Sequence, residues 1–560
     1  MDKNYTICRA SLSIQVLTLA MDDGLRFYAI ILCMRTIAEN ANDFADLRTR
    51  AEGDCIYVDK TDYFHRLVTD RGRSLFFIAR PRRFGKSLMI TTFKAIFGGR
   101  RELFKGLKID KTDYDWKVHP VIHLDFSKCA HNTHAGFMGM FPLVVSNALR
   151  AAGFETDKSL APAANFLNAL ESCAAHGRQC VVLIDEYDDP VARSLDQTNE
   201  AKLIRSELAS FYGQIKGMTH AIRFLMITGV SKFTKMSVFS ALSNLTDISP
   251  LPEYAAMLGY TEEELDLYFG EHMAAHAKVM GLSDADYRAE LKRWYNGYRF
   301  SVDSPVTVYN PVSTGLTFAQ RSSEFRGTWT QTGRASTLMN YIKREGALQV
   351  DLDGVVSAGE SDFDVSDLDN MSPLGMLYQT GYLTIADYSQ GLYQLRVPDE
   401  EVKRDIAALL AGAWAGRDAQ WSASLGVKLR AGRWDDFFDG LKALYAKLPY
   451  GSRESSERKN EFSYQRPLCA LLAAQGFRYD PEVTQTAGRS DLIAEHPSGI
   501  WIFELKVDES AEAALAQIKE KDYAAPYRAR NLPVWAIGLN FDSKTRQLTG
   551  AVHERLQGPR

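Results

Sequence analysis

Three short stretches of this 560-residue chain hold side chains whose types and spacing could do chemistry. In FFIARPRRFGKSLMITTF, Gly85-Lys86-Ser87 falls where a loop should give way to a helix. Backbone N–H groups at a helix start attract anions, a lysine beside them neutralises β and γ phosphates, and the next hydroxyl can ligate Mg²⁺. Ninety-nine residues after Lys86, CVVLIDEYDDP ends an apolar run on Asp185-Glu186. An aspartate there would hold Mg²⁺ together with Ser87, and the glutamate would orient and activate an attacking water. The two stretches explain each other and predict a site for ATP and Mg²⁺. The third stretch, GRSDLIAEHPSGIWIFELKVDES, carries Asp491 and, thirteen residues on, Glu504-Leu505-Lys506. Residues two apart on a strand share a face, so Glu504 and Lys506 point the same way. A hairpin turning at Pro497-Ser498-Gly499 would bring Asp491 beside them. Two carboxylates that bind Mg²⁺, with a lysine to position water or offset charge, meet the needs of phosphodiester cleavage.

Each signal competes with a plainer reading. The pattern G-x-x-x-x-G-K-[ST] asks for glycine at position 80, where this chain has Arg80. A D and an E-x-K also occur on ordinary exposed strands, but IWIFELKV is otherwise apolar, and unpaired charge inside it would be costly without a ligand. ITGVSKF offers Thr228 and Ser231 near a γ phosphate, followed by Lys232 and Lys235. Thr228 is kept as a nucleotide-site candidate. Residues 71–108 carry eleven Lys/Arg against one acid, Glu102, a local charge of +10 that suits polyphosphate and could also touch a nucleic-acid backbone. His272 with His276, and His131 with His134, have metal-pair spacing but no evident third ligand, so satisfied pairs are expected. The aromatics of RWYNGYRF could stack on bases, with core packing as the default reading.

The elements that must position these groups can be read from periodicity. SLFFIA (74–79), PVIHLDF (120–126), CVVLIDE (180–186) and IRFLMITG (222–229) are continuous apolar runs that suit strands covered on both faces. Between them Ser87–Phe97, Gly136–Ala152, Ala161–Ala175 and Asn199–Lys216 read as helices, so a parallel sheet in an α/β domain is expected. Thr261 with Glu264 forms a capping-box signature opening a mostly helical middle region. Within it residues 372–406 read as helix, hairpin near Ser389-Gln390-Gly391, and helix, compatible with a winged-helix module. GSRESSERKN (451–460) is polar and turn-rich, a linker, and an α/β segment with strands near DLIAE, IWIFELKV and VWAIGLN follows. The expected division is an N-terminal arm or misplaced start (1–42), a P-loop ATPase domain (43–255), a helical middle (256–450), the linker, and a nuclease-like domain (461–560).

Composition sets the outer bounds. At 46% hydrophobic with a formal charge of −4, the chain should fold as several globular domains and cannot coat nucleic acid by bulk charge. Seven cysteines form no C-x-x-C pair, and no apolar run near the start approaches a bilayer span, so a cytoplasmic protein without a membrane partner is expected.

YVDKTDYFHRL, RPRRFGKS, LFKGLKI, VVLIDEYDDP, TGVSKF, WYNGYRF, VYNP and LYQTGYLTI together resemble the bacterial AAA-ATPase-like proteins that carry a C-terminal nuclease-fold domain. The resemblance runs from about Ile56 to the end of the chain. It implies a P-loop ATPase core of the additional-strand, catalytic-glutamate type, with Lys86, Ser87, Asp185 and Glu186 at its motif positions and Arg80 shared with the family's loop. The D, E-x-K spacing is that of the PD-(D/E)xK restriction-endonuclease-like fold. The resemblance further implies that Glu461 of KNEFSYQ can complete its metal site, and that a helix bearing Gln517 and Tyr523 packs beside it. Expected partners are ATP and DNA or RNA, with self-assembly left open. Two functions remain in play: an ATP-driven switch controlling a metal-dependent nuclease, and a signalling or scaffold NTPase whose nuclease-fold part only binds.

Overall fold

The computed structural model describes residues 34–38, 42–50, 55–129, 131–195, 197–231, 244–328, 352–363, 372–446, 462–485 and 488–557. Contacts divide the chain into two compact units, the first closing at Arg326 and the second opening at Gly327, apart from Gln379–Gly381, which cluster with the first.

In the first unit the four apolar runs become strands β1 Leu75–Ala79, β2 Val121–Asp125, β3 Cys180–Asp185 and β4 Ile222–Gly229. A two-residue strand, β5 Thr246–Asp247, extends one edge; the order is β2-β3-β4-β1-β5 and every neighbouring pair is parallel. All six residues of β3 are buried, as strands covered on both faces require. The crossovers are helices α1 Lys86–Phe97, α2 His134–Ala151, α3 Pro162–Ala175 and α4 Thr198–Gly217, with bounds within two residues of those read from the pattern. Because β4 is inserted between β1 and β3, the loop after β1 and the Asp-Glu pair after β3 meet at one sheet edge, outside the carboxyl ends of the strands.

Past this sheet, α5 Glu262–Met280 opens with the expected capping box: the Thr261 hydroxyl accepts from Glu264 N–H and the Glu264 carboxylate accepts from Thr261 N–H. Helix α6 Asp284–Tyr295 runs into a short strand pair, β6 Asn296–Tyr298 and β7 Val308–Tyr309, which periodicity did not show, and then α7 Pro311–Gln320. Trp294, Tyr295, Tyr298 and Phe300 are all buried, so these rings form core. His272 Nε2 sits 3.0 Å from the Arg35 carbonyl oxygen, and His276 joins the Tyr287 hydroxyl and the Ser322 carbonyl at 2.9 and 2.8 Å. His134 Nε2 lies 3.5 Å from Glu207. Among the described residues no group of three or more His, Cys, Asp or Glu is arranged to hold a metal. The five described cysteines are free thiols, and no described helix is long and apolar enough to cross a membrane.

The second unit begins with a small antiparallel sheet. Strands β9 Thr384–Ser389 and β10 Leu392–Arg396 form the expected hairpin, β8 Val356–Ala358 adds to β10, and a helix, Pro373–Thr380, precedes them. Then come α8 Glu400–Ala415, α9 Ala419–Arg430, α10 Trp434–Ala446 and α11 Phe462–Ala474. A second five-stranded sheet follows in the order β11 Arg478–Gln485, β12 Gly488–His496, β13 Gly499–Val507, β14 Val534–Phe541, β15 Leu548–Gln557. β13 and β14 are parallel and the other pairs antiparallel. Side-chain alternation splits this sheet between two cores. Leu492, Ala494, Phe503 and Leu505 face Ala411, Leu425, Leu441 and Leu468 of α8–α11. Ile493, Ile500 and Ile502 face Ile518 of α12 Ala511–Glu520, the crossover from β13 to β14. Helices α8 to α10 thus share a core with the C-terminal sheet, whereas the sequence pattern grouped them with the helical middle; the linker at 451–460 lies outside the described residues.

Helix α12 rests directly on β14 because position 538 is glycine. A Cβ there would collide with the Ala511 carbonyl oxygen and come within 2.8 Å of the Leu515 nitrogen, both backbone atoms that cannot turn aside. Gly538→Ala should therefore lift α12 and lower stability by about 1–3 kcal/mol in chemical denaturation. An unchanged midpoint would show that the helix has room to spare.

Candidate functional site

The first site is built on the six residues joining β1 to α1. Gly85 is the N-cap of α1 with φ +85°, a left-handed conformation that glycine adopts without strain, and a Cβ there would face open space. Glycine brings no capping oxygen, so the amides opening α1 are suited to an anion. Lys86 is only 4% exposed; its Nζ donates to the carbonyl oxygens of Arg80 and Pro81, both at 3.1 Å, and lies 3.6 Å from Glu186 Oε1. Ser87, half-buried, is the second residue of the helix. Across the sheet edge, the buried Asp185 ends β3, and its Oδ1 accepts from Thr228 Oγ1 at 2.5 Å and from Glu186 N–H at 3.1 Å. Glu186 has φ +50°, a strained conformation for a residue with a side chain, kept in place on either side by the Asp185 bond and by Tyr187 N–H on the Thr228 carbonyl at 3.0 Å. The structure therefore brings Lys86 to Glu186 and Thr228 to Asp185.

One organising residue escaped the sequence reading. Asp188 is buried; its Oδ2 accepts from Ser231 N–H at 2.8 Å and Ser231 Oγ at 2.5 Å, and its Oδ1 accepts from Val230 N–H at 3.2 Å. Burial first, then the neighbouring Glu186 charge, pushes the Asp188 carboxyl above its usual range. Ser231 is thus engaged by Asp188; Lys232 and Lys235 lie outside the described residues. The only signal was the second acid pair in DEYDDP.

The local charge of +10 is also less bare than its count. Arg73 pairs with Asp70 at 2.9 Å, Arg82 with Asp189 at 3.5 Å, Arg101 with Asp110 at 3.3 Å, Lys108 with Asp62 at 3.1 Å, and Arg100 with Glu102. Most of these acids fall just outside the 71–108 window, so a linear count overstates the positive surface.

The second site lies where the β12–β13 ladder opens. Regular pairing runs from His496↔Gly499 to Leu492↔Phe503. One step further, the Asp491 carboxylate takes the Leu505 N–H at 2.7 Å, and Asp491 N–H reaches Glu504 Oε2 at 3.4 Å. Glu504 is 1% exposed, and Lys506 Nζ lies 3.6 Å from its Oε1. Gln517 of α12 donates to Glu504 Oε1; Tyr523, expected on the same helix, lies in the turn that follows its end at Glu520, and its OH donates to the Arg489 carbonyl at 2.8 Å, so both residues reach the two site strands. From the opposite layer, buried Gln465 of α11 donates to the Asp491 carbonyl oxygen. Gln465 was missed, although it stands four residues after Glu461; Glu461 itself is outside the described residues. Asp491, Glu504 and Lys506 are brought together. Two carboxylates of hard oxygen suit a divalent ion such as Mg²⁺, which binds through one or two carboxylates and keeps several waters.

A parallel sheet with its additional strand between the Gly-Lys-Ser loop and the Asp-Glu pair defines a P-loop ATPase-like fold, and the second unit carries a PD-(D/E)XK-type sheet with its acids on neighbouring strands. Family models agree: a predicted AAA-ATPase matches residues 40–239 and the PD-(D/E)XK nuclease superfamily matches residues 459–550. The chain is 33% identical over 523 residues to a protein of Azotobacter chroococcum mcd 1 described as "Uncharacterized protein in vnfD 5'region", covering 91% of this chain and 97% of that one. It belongs to the family of AAA-ATPase-like proteins with a C-terminal PD-(D/E)XK nuclease-superfamily domain. Two solved structures also align: CDC6P from Pyrobaculum aerophilum, 10% identical, over 62% of this chain and 91% of that one, with a TM-score of 0.22; and the Aeropyrum pernix ORC2 protein in ADPNP-ADP complexes, 12% identical, over 62% and 92%, with a TM-score of 0.23.

Proposed function

We propose that the chain binds and hydrolyses ATP in its first unit, and that nucleotide state governs a metal-dependent PD-(D/E)xK nuclease in its second, acting on DNA or RNA. The observation that supports this reading best is the convergence of Asp491, Glu504 and Lys506 in a chain that also pairs Lys86 with Glu186 and Thr228 with Asp185. At the nucleotide site, Gly85 and the opening amides of α1 would take the phosphates and Lys86 their charge; Ser87 and Asp185 would hold Mg²⁺, with Thr228 fixing the Asp185 carboxylate. Glu186 would orient the attacking water and take its proton. In the second unit Asp491 and Glu504, joined by Glu461, would hold the divalent ion, which supplies Lewis-acid stabilisation when bound. Lys506 would offset charge on the phosphate, and Gln517 would keep Glu504 from rotating away.

The test is a matrix of single-stranded DNA, duplex DNA and RNA incubated with the purified full chain, Mg²⁺ or Mn²⁺, and ATP present or absent. Cleavage of at least one substrate, at a rate that changes with ATP, is expected alongside ATP turnover. Intact substrates in every combination, with ATP still hydrolysed, would leave a scaffold NTPase whose second unit only binds.

A further inference from the structure

Arg80 stands where the phosphate-loop pattern asks for its first glycine, yet the backbone there has no need of one, since Arg80 is not among the residues with positive φ and its N–H simply continues the β1–β4 ladder onto the Gly229 carbonyl at 3.1 Å. The side chain turns inward and is 2% exposed. Nη1 donates to the carbonyl oxygens of Ala79 and Ser249, both at 2.9 Å, and Nη2 to that of Tyr254 at 3.2 Å. The guanidinium carbon lies 4.1 Å from the centre of the Phe300 ring. The main chain of the same residue faces the other way, its carbonyl and that of Pro81 receiving the Lys86 ammonium. At the far end of the loop, Phe84 packs edge-on against Tyr298 at 4.8 Å and Phe300 at 5.4 Å between ring centres.

We infer that Arg80 is the positioning residue of the phosphate loop: anchored to the 249 and 254 carbonyls and to Phe300, it fixes the 80–81 peptides that aim Lys86. The inference rests on the nucleotide reading of this loop. Burying a guanidinium is costly unless its donors find acceptors, as Nη1 and Nη2 do here, and a planar fork stacked on an aromatic face can reach separate carbonyls in a way that a lysine ammonium cannot. Glycine at position 80 would restore the general pattern but leave the 80–81 peptides free to turn, so that Lys86 loses its fixed acceptors. The substitution toward the common pattern should therefore weaken nucleotide binding, with Tyr298 and Phe300 supporting the loop through Phe84 and Arg80.

The experiment is equilibrium binding of a non-hydrolysable ATP analogue, with steady-state ATP hydrolysis, on the full chain. Arg80→Gly is expected to raise the Kd at least about tenfold, the worth of one charge-assisted hydrogen bond. kcat at saturating ATP should fall as well, because a mis-aimed Lys86 also meets the developing charge less well, whereas simple loss of folded protein would lower kcat and leave the Kd unchanged. Phe300→Leu, which keeps an apolar side chain should Arg80→Gly fail to fold, is expected to raise the Kd about threefold to tenfold, and Phe300→Tyr to restore it by restoring the ring. Affinities of Arg80→Gly and Phe300→Leu within about twofold of wild type, with Lys86→Ala still defective, would overturn the inference and leave the nucleotide site standing. A wild-type chain that binds no analogue would overturn both.

Discussion

Lys86→Ala is expected to end ATP hydrolysis and most nucleotide affinity together, whereas Glu186→Gln should end turnover while ATP stays bound. Lys86 is buried, and its ammonium is shared among two carbonyl oxygens and the Glu186 carboxylate 3.6 Å away. Alanine removes the cation proposed to meet phosphate charge, and a loss of about a hundredfold or more in turnover follows for a group that stabilises developing charge in a desolvated site. Glu186 has the other task, and removing a general base costs about 10²- to 10⁴-fold in rate. Glutamine also dissolves the ion pair that competes with phosphate for Lys86, so Glu186→Gln should bind ATP at least as tightly as wild type. Turnover assays and equilibrium binding on the two variants separate these roles. Brisk hydrolysis by Lys86→Ala would remove the site from this loop altogether.

The second large effect belongs to Asp491. Asp491→Asn is expected to abolish metal-dependent cleavage while ATP hydrolysis continues at the wild-type rate. Asparagine keeps a carbonyl oxygen able to accept the Leu505 N–H but loses the charge that a divalent ion requires. Metal-ion stabilisation is worth several kcal/mol, so more than about a hundredfold in cleavage rate should vanish. Asp491→Ala removes the Leu505 bond as well and should cost a further 1–3 kcal/mol or so of stability from the orphaned N–H. The two variants should therefore be equally inactive and unequally stable. Continued cutting by rigorously purified Asp491→Asn would place the nuclease chemistry in a contaminant or at another site.

Much of this arrangement is legible in the sequence. The four strands of the first sheet announce themselves because strands buried on both faces, such as β3, must be apolar throughout, and α5 does so because Thr261 and Glu264 cap it reciprocally. Spacing alone placed Glu504 and Lys506 on one face. Strands β11 and β15 were not read: they are the edges of their sheet, where burial is partial and Pro481 is tolerated. The grip of Asp188 on Ser231, of Gln465 on Asp491 and of Arg80 on Ser249 and Tyr254 could not be read either. Periodicity reports that a side chain is inside but not which distant backbone oxygen or amide it meets there. The linear charge count failed for a related reason, since Asp62, Asp110 and Asp189 neutralise arginines and lysines from outside the window that was counted.

The two glutamines of the second site divide its carboxylate pair between layers. Gln465 belongs to α11, packed with α8 to α10 on one side of the sheet, and grips the main chain of Asp491; Gln517 belongs to α12 on the other side and grips the side chain of Glu504. The pair, already joined within the sheet, is therefore also gripped from both outer layers of a three-layer sandwich, like a workpiece between jaws that ride on separate arms. Repacking in the helices of residues 400–446 would reach the pair through the Gln465 grip on Asp491, without disturbing any residue that would touch a substrate.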